Sequence, residues 1–391
     1  MREVLVFAML AVSVVSTACT ATTSVPTPKS SEPAAFPIPI DPAVTAPPPA
    51  DPVVELALAY ERSCARTASG LVKCWGLGYD DAPRSWPLTV TGITQAVQVA
   101  VGPTHACARL SSGRLKCFGG NEGGALGDGT RETALSATAD PGVEAALDVA
   151  VGSDFTCARV GHESLCWGDN HRGSLALGTL GAGELRPVVV PLLAGVRALS
   201  LAGRHGLAIV DEGIVLGWGD DAHTLIGATP SPKPVPVKLS GLLHVRELSS
   251  SSSHACARFD SGTVACWGDN DAGQLGDGTT IKRDGPVPVL GLSNAVQVAV
   301  GERTSCARLA TGAVACWGAN EHGQLGDGST TARSKAQHVP GLSGVTQVAV
   351  GGAHACALLE GGEVQCWGIN AHGELGDHTT ASRSIRGPVL F

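Results

Sequence analysis

The sequence predicts an all-β protein that folds as a seven-bladed β-propeller. Glycine supplies 51 of the 391 residues, which disfavours long helices because each interior glycine costs a helix about 1 kcal/mol. Cysteines recur in pairs nine or ten residues apart, and a unit of about fifty residues repeats seven times. Because 43% of the residues are hydrophobic, the chain can also bury a substantial core.

The first 18 residues have the pattern of a secretory signal peptide. Arg2 precedes an apolar run over 4–15, followed by small residues before Cys19, and this run is too short to cross about 30 Å of hydrocarbon. Cleavage before a cysteine resembles bacterial lipoprotein processing, which implies a lipid on Cys19. In Gram-negative lipoproteins a residue other than Asp at the next position, here Thr20, implies export to the outer membrane or cell surface. Ordinary secretion is the alternative.

Residues 19–52 form the second region of the chain. Ten prolines lie among Thr, Ser and Ala between 20 and 52, a composition that gives an extended tether of about 3.1 Å per residue where it is polyproline-like. We therefore divide the chain into a signal peptide at 1–18, a lipoprotein tether at 19–52 and the propeller at 53–391.

Twelve cysteines form six pairs, each with a glycine near its middle, as a β-hairpin with a short turn requires. The pairs are Cys64 and Cys74, Cys107 and Cys117, Cys157 and Cys166, Cys256 and Cys266, Cys306 and Cys316, and Cys356 and Cys366. Directly opposed residues lie within disulfide reach, whereas a zinc site needs closer spacing and more ligands. In the remaining unit Leu207 and Gly217 occupy both positions, so the two cysteines are lost together. The spacing predicts cross-strand disulfides in six blades and no metal.

The first cysteine positions are separated by steps of 43, 50, 50, 49, 50 and 50 residues. Each unit carries four short strand signals; in the fifth they fall at 245–248, 254–259, 263–268 and 286–290. Such a period is typical of propeller blades, which bury their faces against neighbouring blades. The folded region begins at Val53 without the strand that precedes the equivalent position elsewhere. We therefore expect the C-terminal strand, at 387–391, to complete blade 1 and close the ring.

One motif recurs almost intact at 301–330 and 351–380. It reads Gly-x-x-His-x-Cys-Ala-Arg-Leu-x-x-Gly-x-Val-x-Cys-Trp-Gly-x-Asn-x-x-Gly-Gln-Leu-Gly-Asp-Gly-Thr. It resembles the regulator of chromosome condensation repeat, and the resemblance covers 53–391 and implies a seven-bladed propeller. No unit exceeds fifty residues, which leaves little room for the inserted wedge with which the nuclear family member acts on its small GTPase. Another branch of the family contains a secreted bacterial propeller that inhibits β-lactamases, which implies a secreted or periplasmic enzyme as one candidate partner.

Chemistry-bearing motifs are absent from the sequence. We find no hydrolase elbow, phosphate-binding loop, dinucleotide fingerprint or HExxH, so we predict no catalytic residue, metal or cofactor. The net charge of −8 disfavours nucleic acid, and we expect membrane contact only through the lipid anchor. Four histidines, each two residues before a first cysteine position, are predicted to be packed and hydrogen-bonded rather than metal ligands. They are His105, His205, His254 and His354.

Loop residues that differ between repeats are the candidates for binding, since shared residues build the blades. Arginine and aromatic side chains have the chemistry of interface hot spots. The candidates are Arg62, Tyr79, Phe155, Arg204 and Arg303. We expect an exported, lipid-anchored monomer that binds a protein or peptide through loops on one face. The alternatives are an extracytoplasmic hydrolase or lyase with a pocket at the propeller axis, and a structural component of the envelope.

Overall fold

A computed structural model describes residues 51–227 and 232–391 of the chain. The predicted signal peptide, the lipidation site Cys19 and nearly all of the predicted tether lie outside these residues. The described residues form 28 strands in seven antiparallel sheets of four. The first strands of the seven sheets contact one another in sequence and the last contacts the first. The predicted seven-bladed propeller is confirmed.

The strands follow the chain, four to a blade. Blades 1 to 4 contain β1 (Val53–Ala59), β2 (Arg62–Thr67), β3 (Val72–Leu77), β4 (Pro83–Thr89), β5 (Ala96–Val101), β6 (His105–Leu110), β7 (Leu115–Gly119), β8 (Ala134–Ala139), β9 (Ala146–Val151), β10 (Phe155–Val160), β11 (Glu163–Gly168), β12 (Glu184–Val189), β13 (Ala198–Ala202), β14 (His205–Ile209), β15 (Val215–Gly219) and β16 (Lys233–Lys238). Blades 5 to 7 contain β17 (Val245–Ser250), β18 (His254–Phe259), β19 (Val264–Gly268), β20 (Arg283–Pro288), β21 (Ala295–Val300), β22 (Thr304–Leu309), β23 (Val314–Gly318), β24 (Arg333–His338), β25 (Val345–Val350), β26 (His354–Leu359), β27 (Val364–Gly368) and β28 (Arg383–Pro388).

Helical structure in the described part of the chain is limited to two 3-10 turns, at Pro191–Leu193 and Asp211–Gly213. Neither turn has the length or the apolar character that a membrane-crossing helix needs.

The C-terminal strand corrects one expectation. β28 pairs with β27 in blade 7, and blade 1 has its own fourth strand, β4, which pairs with β3. The ring closes by packing between blades instead. Val389, next to β28, is buried with Trp75 and Leu56 of blade 1. The amide of Gln347 also bonds the main chain of Leu56, accepting from its N–H and donating to its carbonyl at 2.8 Å each.

The six predicted disulfides are confirmed by the register of the second and third strands. Each pair of cysteines lies directly opposite in the ladder, with Cα atoms 4.1 Å apart. In blade 4, Leu207 lies opposite Gly217 in the same register. Every disulfide closes a hairpin within one blade, so none of them links two blades.

The core lies between blades, where a buried tryptophan on the third strand packs against the preceding blade. Its indole Nε1 donates to a main-chain carbonyl in the loop of that preceding blade, at 2.8–3.0 Å. The donors and acceptors are Trp75 to Glu374, Trp167 to Ala125, Trp218 to Ser174, Trp267 to Leu225, Trp317 to Gln274 and Trp367 to Gln324. Buried indole N–H groups need a hydrogen-bond partner. Each loop supplies that partner and so holds its own blade against the next one.

Candidate interaction face

One end of the ring, which we call the loop face, is formed by the turns between first and second strands and by the longer loops between third and fourth strands. The turns fall at 60–61, 102–104, 152–154, 203–204, 251–253, 301–303 and 351–353. Because these turns occupy the same repeat position in each blade, all seven surround the same mouth of the central axis.

The axis itself holds a small cavity of about 100 Å³ at this mouth. Every blade contributes to its wall, chiefly through glycine, serine and valine, and Glu302 is the acidic residue lining it. Pockets for drug-sized ligands usually have volumes of about 300–1,000 Å³. The axis is therefore narrower than an ordinary small-molecule site.

A larger groove of about 730 Å³ crosses the loop face over blades 5, 6, 7 and 1. We call it the loop-face groove. Its wall includes Tyr60, Glu61, Ser253, Asp269, Asp271, Lys282, Glu302, Arg303, Gly352 and Ile369. Tyr60 is 49% exposed and has a φ of 48°, a left-handed conformation that is uncommon for a residue with a bulky side chain. The groove thus combines an exposed aromatic ring with a wall in which most residues are polar or charged, although more of its surface is apolar than polar.

Arg303 is the predicted residue that lies in this groove. Its guanidinium lies 2.6 Å from the Asp271 carboxylate and 3.6 Å from that of Glu321. Partial burial acts to raise the pKa of Asp271, but hydrogen bonds from Gln274 and Arg303 hold it below its usual value. Two carboxylates therefore position the exposed Arg303 side chain at the edge of the groove.

Carboxylates outnumber cations along the loop-face groove. The acidic residues are Glu61, Asp269, Asp271 and Glu302, whereas the basic ones are Lys282 and Arg303. Lys282 lies 3.3 Å from Asp269, which also accepts a hydrogen bond from His223. The groove keeps an excess of negative charge after these pairs are formed.

Arg204 also lies on the loop face, in blade 4 and outside the groove. Its side chain is about half exposed and its guanidinium is 4.0 Å from the Asp154 carboxylate. Burial raises the pKa of Asp154 and the charge of Arg204 opposes that rise. Arg204 remains available to a partner.

Arg62 and Tyr79, by contrast, are structural in their contacts. Arg62 is 8% exposed and donates to the carbonyls of Pro103 and Gly78 at 2.7 and 3.1 Å. Its guanidinium lies 4.5 Å from the centre of the Tyr79 ring. Tyr79 donates to the carbonyl of Gly102, and burial raises the pKa of its hydroxyl. Both side chains join blade 1 to blade 2 beneath the surface of the loop face.

The expectation that Phe155 presents its ring to a partner is corrected by its burial. Phe155 is 1% exposed and belongs to the core between blades 3 and 4. It occupies the repeat position at which other blades carry a buried histidine, so its aromatic ring replaces an imidazole in the packing.

Three of the four histidines at this repeat position are packed and hydrogen-bonded between blades, as predicted. The fourth, His205, is buried, but its Nε2 has no hydrogen-bond partner among the described residues. His105, His254 and His354 hydrogen-bond through Nε2 to a hydroxyl of the next blade at 2.6–2.8 Å. The hydroxyls belong to Thr156, Ser305 and Ser63, and each donates in turn to the loop carbonyl that also accepts the tryptophan N–H. Burial lowers the pKa of each imidazole to about 4, so the rings are neutral at pH 7.

Sequence reasoning missed the hydroxyl partners of these histidines. Their signal was present: a Ser or Thr directly precedes the first cysteine of the unit that follows each of these three histidines around the ring. Within the described parts of the chain no cluster of three or more His, Cys, Asp or Glu side chains could hold a metal ion.

Comparison with known proteins agrees with the repeat and the fold. The model of the RCC1-like domain matches residues 77–390. The mitochondrial RCC1 domain-containing protein RUG3 of Arabidopsis thaliana is 36% identical over 115 residues, which is 28% of this chain and 24% of that protein's length. The match thus spans about a quarter of this relative.

Solved structures show the same propeller at low sequence identity. Prp20p of Saccharomyces cerevisiae superimposes with a TM-score of 0.71 at 20% identity, covering 83% of this chain and 87% of that one. Human WBSCR16 gives a TM-score of 0.68 at 21% identity, over 78% of this chain and 86% of that one. Since the family match extends over well more than half of its length, this chain belongs to the RCC1-like domain family.

Proposed function

We propose that this protein is an exported binding module that holds a protein or peptide partner in the loop-face groove. The observation that carries the proposal is the groove itself, with its volume of about 730 Å³, the exposed Tyr60 and the positioned Arg303. Tyrosine and arginine are enriched among residues that dominate binding energy. An open groove across four blades suits an extended segment better than a small molecule.

The charge of the groove defines the partner more closely. Four carboxylates against two cations favour a partner segment that carries an excess of lysine or arginine, because complementary charge speeds association and selects partners. The solved structure of Prp20p is described together with the binding of that protein to Gsp1p and histones. That likeness supports a protein partner here.

Export is part of the proposal. Six disulfides indicate an oxidising, extracytoplasmic environment. We propose that residues 1–18 direct export, that Cys19 carries a lipid and that 19–52 tether the propeller of 53–391 to the outer membrane or cell surface. Such a tether would leave the loop face free to meet secreted or envelope proteins.

Binding accounts for the groove better than catalysis does. The imidazoles whose pKa is lowered are buried between blades, where no substrate in the groove would touch them. The axial cavity has about 100 Å³ and one acidic residue in its wall, whereas acid–base catalysis generally needs a positioned partner group.

Affinity capture with the purified full chain tests the proposal, using secreted and envelope proteins of the source organism. The groove variant combines Tyr60→Ala with Arg303→Ala. The control is Arg246→Ala, since Arg246 is similarly exposed and pairs with Asp260 at the opposite end of the ring. We expect a partner that the native chain and the control retain and that the groove variant loses by at least about tenfold.

Salt sharpens the same experiment. Because the proposed attraction acts between exposed charges, raising the ionic strength should release the partner progressively. Equal capture by the groove variant and the native chain would contradict the proposal.

A further inference from the structure

At six of the seven junctions between blades, the loop that follows the third strand inserts one aliphatic side chain against the next blade. The inserted residues are all buried, and they are Leu126, Leu175, Ile226, Leu275, Leu325 and Leu375. The residue before each of them supplies the carbonyl that accepts the tryptophan N–H of the next blade. One carbonyl and one leucine-type side chain thus form a repeated contact.

A second main-chain bond accompanies this contact. A loop N–H donates to a carbonyl on the fourth strand of the next blade at 2.8–2.9 Å. The donors and acceptors are Gly129 to Leu185, Gly178 to Pro234, Gly278 to Ser334, Gly328 to Ser384 and His378 to Ser85. The loop therefore extends along the outer strand of its neighbour as well as packing on its tryptophan.

Blade 1 lacks this loop. Its third and fourth strands are joined by residues 78–82, whereas blade 2 uses residues 120–133 for the same connection. The shortening explains why the first repeat step is 43 residues instead of about fifty. Tyr79 of this short connection packs edge-on against Phe118 of blade 2, with ring centres 5.7 Å apart, but in the described structure no leucine and no carbonyl of residues 78–82 takes the place of the missing loop.

Blade 2 carries a substitution that matches the missing loop. Phe118 takes the place of the tryptophan, and a phenyl ring needs no carbonyl acceptor. Leu135 is 59% exposed, whereas Leu185, at the equivalent position on the outer strand of blade 3, is half-buried under the loop of blade 2.

A cavity of about 230 Å³ remains at this junction. Arg62, Tyr79, Leu88, Phe118 and Leu135 lie in its wall, and Leu88 is 40% exposed. Both terminal nitrogens of Arg62 are bonded to carbonyls, but its Nε is buried and has no hydrogen-bond partner among the described residues. A buried donor without a partner is unfavourable, and a ligand carbonyl would supply the missing acceptor.

We infer that this cavity binds a peptide segment that carries a leucine-type side chain preceded by a main-chain carbonyl, in place of the loop that blade 1 lacks. The leucine-type side chain packs against Leu88 and Leu135, the exposed apolar residues of the cavity wall, since Phe118 is 3% exposed and already contacts Tyr79. The carbonyl accepts from Nε of Arg62, and a peptide N–H donates to the carbonyl of Leu135. The other six junctions supply the pattern for the side chain and the carbonyl, although there a tryptophan N–H is the donor in place of Arg62. Five of them supply the pattern for the N–H that donates to the fourth strand. This site shares no residue with the loop-face groove, so it is independent of the proposed function.

A peptide copied from the chain itself tests the inference. The probe is Asn-Glu-His-Gly-Gln-Leu-Gly-Asp-Gly, the sequence of residues 320–328, labelled for fluorescence anisotropy and titrated with the purified full chain. The control peptide replaces its leucine with aspartate. We expect the native peptide to bind at least about tenfold more tightly than the control, because burying an unpaired carboxylate against the apolar wall formed by Leu88 and Leu135 is costly.

Two protein variants locate the binding. Leu135→Asp changes an exposed side chain at the rim, so the fold is retained, and we expect the affinity for the native peptide to fall at least about tenfold. Arg246→Ala, at the other end of the ring, serves as the matched surface control and should leave binding unchanged. Equal affinity of the two peptides, unchanged affinity in Leu135→Asp, or no binding at millimolar peptide would each overturn the inference.

Discussion

The junction between blades 5 and 6 and the junction between blades 4 and 5 each contain a buried histidine at the same repeat position. They differ in the residue of the next blade that faces this histidine. His254 reaches Ser305 at 2.8 Å, and Ser305 passes a hydrogen bond to the carbonyl of Gln274. His205 faces Ala255 at the equivalent position, and its Nε2 is buried without a hydrogen-bond partner among the described residues. One missing hydroxyl therefore separates a complete contact from an incomplete one.

Blade 4 departs from its neighbours in other ways too. It has Leu207 and Gly217 in place of a disulfide, and Asp221 in place of the loop asparagine. Burial raises the pKa of Asp221, and Lys233 lies 3.4 Å from its carboxylate. The comparison teaches that each junction is built by residues of two repeats, so an unmatched change in one repeat, such as Ala255 opposite His205, leaves a buried group of the other repeat without a partner.

Acid should produce the largest effect at the junctions that contain histidine. The pKa of His105, His205, His254 and His354 is about 4 in the folded protein, because burial disfavours the charged ring, against 6.5 in an exposed chain. The folded state therefore binds fewer protons than the unfolded state between these values. Stability is complete above about pH 6.5 and is lost as the pH falls towards 4, by on the order of 2–3 kcal/mol for each ring.

Urea unfolding at pH 7 and pH 4.5 measures this loss. Hydrogen exchange can locate the loss of stability. The junction between blades 6 and 7 has Thr304 and Ala355 in place of the histidine and the serine. It should therefore open less on acidification than the junction between blades 5 and 6. The same free energy of unfolding at both pH values would refute the prediction.

Removing the hydroxyl from the complete junction should have a smaller effect. Ser305→Ala leaves both Nε2 of His254 and one bond of the Gln274 carbonyl unsatisfied, which should lower the free energy of unfolding by about 1–3 kcal/mol. Ser261→Ala is the matched control, because Ser261 lies in an exposed hairpin turn of blade 5, the blade that carries His254, and it should cost less than about 0.5 kcal/mol. Equal losses in the two variants would show that the contact between His254 and Ser305 contributes nothing.

Adding a hydroxyl to the incomplete junction should have the smallest effect and the opposite sign. Ala255→Ser gives Nε2 of His205 an acceptor, and we expect the free energy of unfolding to rise by about 0.5–1.5 kcal/mol. Ala355→Ser is the control, because it places the same hydroxyl opposite Thr304, where the preceding blade has no imidazole. If the two serine variants change stability alike in urea titrations, the comparison between the junctions fails.

The sequence was sufficient for the blades because their signals are local. Cysteine pairs, turn glycines and strand alternation lie within a few residues of one another, so the hairpin register of Cys256 and Cys266 could be predicted and is confirmed. The C-terminal strand, expected at 387–391 in blade 1, lies at 383–388 in blade 7. The fourth strand of blade 1, with Trp86 between Ser85 and Pro87, does not share the sequence of the others, so the repeat pattern does not reveal it. A repeat pattern recognises members that look alike and misses those that diverge.

The binding residues were harder to predict, since a loop residue can differ from its equivalents in the other repeats for two physical reasons. Arg303 and Arg204 differ because they lie on the exposed loop face. Arg62, Tyr79 and Phe155 differ because the adjacent blade differs. Their burial follows from contacts with that blade, which lie 23 residues away for Tyr79 and 41 residues away for Arg62. Comparing each repeat with the next one, rather than with their average, would have separated the two groups.

Each blade consists of four strands that are consecutive in the chain. The carbonyl of Pro52 accepts a bond from Ala68, and the Phe391 ring lies 5.7 Å from that of Trp75, so both ends of the propeller contact blade 1. Because no strand is exchanged across the closing junction, a circular permutant cut between any two blades, with a linker joining the present ends, would retain every strand pairing and all six disulfides. The fold therefore does not require the chain to begin with blade 1 and end with blade 7.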